Sequence, residues 1–89
     1  MSKEENLNEL FEEKSSLIKK SNLQLDNDTL LTLYGYYKQA IDGDCNINCP
    51  GFWDPKGKAK YEAWNQHKSM SKDHAMKRYI KKVNKLLEK

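Results

Sequence analysis

Two tyrosines and a lysine are the residues best placed to do chemistry in this chain. Tyr34, Tyr37 and Lys38 stand in the stretch L-Y-G-Y-Y-K-Q-A-I-D-G-D, Leu33 to Asp44. Tyr34 and Lys38 are four residues apart, which on a helix sets one side chain above the other. Lys56 and Lys60 repeat that spacing in P-G-F-W-D-P-K-G-K-A-K-Y-E-A-W, Pro50 to Trp64. If the two faces meet, three ammonium groups and a phenol converge on a spot suited to a phosphate of about two negative charges. Hydrogen bonds to a charged group contribute about 1.5–3 kcal/mol each. Tyr37, beside them, can stack on an adenine, and a stacked base contributes about 1–3 kcal/mol. Tyr79 completes the candidate set. The residues alone leave a plainer reading open. Lysines four apart on surface helices are ordinarily solvated, and tyrosines on an apolar stripe ordinarily belong to the core.

The elements that must position these residues read as four amphipathic helices. Asn6 to Lys20 carries Leu7, Leu10, Phe11, Leu17 and Ile18 at three- and four-residue steps. Lys19 and Lys20 at its end suit the helix dipole. Asp26, Asn27 and Asp28 offer caps for a second helix, about Asp28 to Ile41, with Leu30, Leu33, Tyr34, Tyr37 and Ile41 as one broad stripe. Gly35 lies inside it at a cost of about 1 kcal/mol relative to Ala, which suits close approach of a neighbouring helix. Asp42 to Pro50 is a loop. Phe52 and Trp53 follow it, and bulky aromatics in a loop are expected to pack down on a helix. A third helix fits Pro55 to His67, capped by Asp54, with Ala59, Ala63 and Trp64 on its packing side. Ser71 caps a fourth helix that places Ala75, Met76, Tyr79, Ile80, Val83, Leu86 and Leu87 on one face. No stretch alternates as a strand does. The pattern implies an all-α helix bundle.

Composition narrows the function. With 89 residues the chain is expected to form a single domain, 1–89, with a small core. The net charge is +3, and of sixteen cationic side chains only Arg78 is arginine. Base-edge readout and bidentate phosphate forks favour arginine, so nucleic-acid recognition is not expected. No run approaches the roughly 18 apolar residues of a spanning helix, and the polar N-terminus is not a signal peptide. A cytoplasmic location, with reduced thiols, is the default expectation.

Together the segments Y-x-x-Y-K-Q-A-x-x-G-D (Tyr34 to Asp44), P-G (Pro50-Gly51), K-G-K-A-K-Y-x-A-W (Lys56 to Trp64) and M-S-K-x-x-A-M-x-x-Y-I-x-K-V (Met70 to Val83) resemble the acyl-CoA-binding protein family. The resemblance spans essentially the whole chain. It implies a bowl-shaped four-helix bundle of up-down-down-up topology. The implied ligand is a long-chain fatty acyl-CoA, carried without chemical change, and no cofactor is implied. It further implies that Tyr34, Lys38 and Lys60 hold the ribose 3′-phosphate and that Tyr37 packs against the adenine. Tyr79 is then at the nucleotide end and Lys56 close to the phosphates. By motif position, Phe11, Leu30 and Leu31 are candidates to line an acyl groove.

Some positions depart from the common family pattern. Tyr61 replaces a more usual tryptophan, Cys45 and Cys49 stand in a loop that is commonly polar, and His74 takes a place that is often acidic in the Ser71 cap, weakening the capping box. The first helix matches poorly. The spacing C-x3-C-x17-H-x6-H of Cys45, Cys49, His67 and His74 does not fit zinc-finger separations of about 12 and then 3–5 residues, so no metal site is expected. No nucleophile has a base and orienting partner nearby in sequence, so an enzyme is not expected. The basic end, Lys77 to Lys89, is ordinarily a solvated face, although transient contact with an anionic membrane would suit a lipid carrier. A monomer is the simplest expectation. The alternative reading is a helical interaction module without a small-molecule ligand, docking a protein or membrane through Phe52, Trp53 and the last helix.

Overall fold

Helix boundaries in this chain are set by side chains that stand in for missing backbone partners. The computed structural model describes residues 3–88. Its helices are α1 (Lys3–Lys20), α2 (Asn27–Asp42), α3 (Pro55–Asn65) and α4 (Lys72–Leu87). The Asp26 carboxylate accepts from the Thr29 N–H at 2.8 Å, starting α2 one residue before the sequence reading. Asp54 accepts from the Gly57 N–H at 3.1 Å, with Pro55 in the first turn of α3. The Ser71 hydroxyl accepts from the His74 N–H at 3.0 Å, so the cap of α4 forms without a Glu or Gln at position 74. Gly43, at φ +81°, ends α2 in a conformation that favours glycine.

α3 stops at Asn65, two residues short of the expected end. Beyond it the bonds tighten: the His67 N–H reaches the Trp64 carbonyl and the Lys68 N–H the Asn65 carbonyl, each at 3.1 Å. Ser69 then adopts φ +79° and its N–H donates to Asp44 at 2.8 Å. That distant carboxylate satisfies the turn, which periodicity within the third helix does not reveal.

The fold is an all-α four-helix bundle in which α4 packs against α1 and α2, and α2 also carries α3. The Cα trace spans 44 × 30 × 15 Å, so the bundle is flattened along one direction. The core is correspondingly thin: Phe11, Leu33, Ala40, Ala75, Met76, Tyr79, Ile80 and Val83. Not every apolar position of the helical stripes reaches it. Leu10 and Leu17 of α1, and Leu30 and Ile41 of α2, remain exposed, because a thin layer has room for only part of each stripe. Gly35 is buried where α3 crosses: a Cβ there would strike the Ala63 carbonyl oxygen. The glycine permits this close approach, as the sequence suggested.

Phe52 and Trp53 overturn the expectation that they pack on a helix. They are 89% and 77% exposed and touch one another edge to face, with ring centroids 5.6 Å apart.

Candidate functional site

The crossing of α2 and α3 brings lysines and aromatic rings together in pairs. Lys60 of α3 holds its Nζ 5.6 Å from the centroid of the Tyr34 ring on α2. Lys38 of α2 returns the contact, its Nζ 4.8 Å from the centroid of Trp64 on α3. Such placements are favoured by the negative face of an aromatic ring. Lys38 is also held by Asp42, one turn along, at 2.6 Å. That carboxylate lifts the Lys38 ammonium above the ordinary lysine range, with partial burial opposing. The result is a wall on which two ammonium groups are positioned before any ligand arrives. Lys56 stands exposed in the first turn of α3, and among the described residues no ion pair or hydrogen bond ties it to the other candidates.

Tyr37 and Tyr79 belong to a second cluster. The Tyr37 ring stacks on Phe11 at 5.5 Å and meets Tyr79 at 5.9 Å, while Phe11 and Tyr79 meet edge to face at 5.0 Å. This cluster joins α1, α2 and α4. Tyr37 is half-buried, whereas Tyr79 is 4% exposed. Burial pushes the Tyr79 phenol up from its ordinary value, against an opposing effect of the Ser15 hydroxyl, so it stays protonated at neutral pH.

Of the apolar candidates, Phe11 is 1% exposed and lies in the core beneath Tyr37, so it does not line an open groove. A long ring at the centre of α1 is the natural filler between two helices, and its position in the stripe does not distinguish that role from groove lining. Leu31 is half-buried. Leu30 is half-exposed and borders a cleft of about 350 Å³ at the α1–α2 turn, with Ile18, Lys19, Leu23 and Leu25. A second cleft, of about 510 Å³ between α1 and α4, has Leu7, Leu10 and Ile80 as its apolar lining and Lys77, Lys81 and Lys85 among its polar residues. None of the six polar and aromatic candidates borders either cleft.

The sequence reading passed over the residues that hold this wall. Gln39 is fully buried in α2, and its side-chain amide donates to the Asp44 carboxylate at 3.0 Å and the Met70 carbonyl at 2.8 Å. Asp44, which also accepts from the Ser69 N–H, therefore links α2 to the α3–α4 turn, and the Gln39 and Ser69 donors keep its carboxyl below the usual range. The Trp64 indole N–H donates to the Gly43 carbonyl at 2.8 Å, clamping the end of α2 to α3. Both Gln39 and Asp44 stood inside the quoted K-Q-A-x-x-G-D segment. Tyr36 stacks on His67 at 4.4 Å; burial, together with Arg78, lowers the pKa of that imidazole. Cys45 and Cys49 are free thiols, and among the described residues no three His, Cys, Asp or Glu side chains gather as a metal site. Among these residues no helix is long and apolar enough to cross a membrane.

Comparison with known proteins converges on one family. The family described as Acyl CoA binding protein matches residues 8–83. Acyl-CoA-binding domain-containing protein 5 of Gallus gallus is 47% identical over 73 residues, covering 82% of this chain and 15% of that protein. The protein of the same name from Xenopus tropicalis is also 47% identical over 73 residues, covering 82% of this chain and 16% of its own length. The chain thus spans only a small part of these relatives. The crystal structure of Oryza sativa Acyl-CoA-Binding Protein 2 superposes with a TM-score of 0.90 at 38% identity, covering 94% of this chain and 91% of that one. The crystal structure of ACBP from Moniliophthora perniciosa gives 0.78 at 33% identity, over 100% of this chain and 86% of the other.

Proposed function

Because this chain belongs to the acyl-CoA-binding protein family, we propose that it binds and carries long-chain fatty acyl-CoA thioesters, reversibly and without chemical change. The observation that carries this reading is the α2–α3 wall, where Lys60 lies over Tyr34 and Lys38 over Trp64. Lysines held against rings need little reordering when a phosphate arrives, so less of their attraction is lost to side-chain ordering.

In this reading Tyr34, Lys38 and Lys60 take the ribose 3′-phosphate, and exposed Lys56 draws in the remaining phosphates. Tyr37 offers its half-buried ring to the adenine. Phe11 and Tyr79 brace that ring from α1 and α4, and the Tyr79 phenol, protonated at neutral pH, is a donor toward the nucleotide end. The acyl chain runs over Leu30 and Leu31. The protein works as a monomer in the cytoplasm.

Calorimetric titration with acyl-CoAs of increasing length tests the proposal. Affinity should rise by about 0.8 kcal/mol for each methylene that becomes buried, then level off when the apolar surface is filled. Equal affinity for free CoA and palmitoyl-CoA would reject the acyl part. Equal affinity for CoA with and without its 3′-phosphate would reject the assigned anchor.

A further inference from the structure

Phe52 and Trp53 take no part in the proposed ligand site, and the backbone turn that carries them is hydrogen-bonded. The Asp54 N–H donates to the Gly51 carbonyl at 3.0 Å, closing a tight turn under both rings. Asp54 then caps α3 through the Gly57 N–H. The Trp53 ring lies over Gly51 so closely that a Cβ there would collide with it. Phe52 meets Trp53 edge to face at 5.6 Å. Two large rings are thus presented outward, 89% and 77% exposed, on a turn anchored to a helix start.

The charges around this tip favour one class of partner. Lys56, Lys58 and Lys60 follow within two turns of α3, and all three are exposed. Asp54 is engaged at the helix N-terminus, and Glu62 lies further along α3. Asp42 and Asp44, across the preceding connection, are occupied by Lys38 and by Gln39 with Ser69. Along this segment Lys56, Lys58 and Lys60 outnumber Asp54 and Glu62, so the charge next to the rings is net positive. Exposed aromatic rings at a turn, with exposed lysines in the helix that follows, suit an anionic bilayer, whose interface takes up Trp and Phe and whose phosphates attract lysine. Two rings this exposed need no matching groove, and a fluid interface has none.

We propose that the Phe52–Trp53 turn is a membrane-docking tip, inserting both rings into the interface of an anionic bilayer while Lys58 meets the lipid phosphates. Docking through this turn is separate from acyl-CoA binding and does not rest on it.

The test is co-sedimentation of the full chain with vesicles of phosphatidylcholine, alone or mixed with phosphatidylserine. The protein should bind the mixed vesicles more tightly, and added salt should weaken binding. The F52S/W53S double variant should lose about tenfold or more in partitioning. Lys58→Gln should lose about fivefold on anionic vesicles only. Brominated lipid should quench the tryptophan emission of the unaltered protein but not of W53F, because the remaining Trp64 is 2% exposed. Undiminished vesicle binding by F52S/W53S would overturn the proposal, as would absence of quenching. Loss of palmitoyl-CoA affinity in the double variant, with vesicle binding retained, would also overturn it and assign the rings to the acyl chain. A binding partner that is a protein would show as saturable, lipid-independent capture unaffected by phosphatidylserine, and that outcome too rejects docking to lipid.

Discussion

The Lys60 ammonium sits over the Tyr34 ring, 5.6 Å from its centroid, and so joins α3 to α2. Neither residue predicts the other from its own helix; the contact exists because Gly35 lets the two helices approach at Ala63. The proposed phosphate anchor depends on that crossing.

Lys60→Ala is expected to weaken CoA binding about ten- to a hundredfold, the range for loss of a charge-assisted hydrogen bond. The penalty should shrink sharply with CoA that lacks its 3′-phosphate. A double-mutant comparison by calorimetry, varying protein and ligand together, measures this coupling directly. Equal penalties for the two ligands would place Lys60 elsewhere.

Gly35→Ala should destabilise the fold by about 1–3 kcal/mol, because the new methyl group meets the Ala63 backbone and not a flexible side-chain end. The gain in helix propensity, about 1 kcal/mol, offsets only part of this. Urea unfolding followed by circular dichroism reads the difference. Lys60→Ala, at an exposed position, serves as the comparison and should change stability far less.

Gln39→Leu should cost about 1–3 kcal/mol, since it leaves the Met70 carbonyl without its side-chain donor in a thin core. The same change frees Asp44 from one of two donors. Amide exchange at Ser69, whose N–H is held by Asp44, should accelerate in the variant.

His67 is expected to lower stability in mild acid. Its pKa is lowered from 6.5 first by burial and then by Arg78, so the folded protein prefers the neutral imidazole. The penalty is absent well above 6.5, begins as pH falls through that unfolded-state value and is complete below the lower folded value. Melting temperature should therefore drop as pH is lowered from 7 toward 5. His67→Phe keeps a ring against Tyr36 and should flatten that part of the profile.

Amphipathic spacing and capping residues were enough to identify the four helices. Asp26, Asp54 and Ser71 act as caps because a short polar side chain can reach N–H groups only two or three residues away, a local property readable from sequence. Tyr34, Tyr37 and Lys38 were legible as a chemically capable face for the same reason: neighbours on a helix are neighbours by spacing. The tertiary structure decided what those faces meet. It put Lys60 on Tyr34 and Lys38 on Trp64, and it gave Phe11 to the core instead of a groove. It ended α3 at Asn65 through a carboxylate at position 44 and left Phe52 and Trp53 in the open. Each of these outcomes depends on groups far apart along the chain, and periodicity within one helix carries no information about which helix will lie against it.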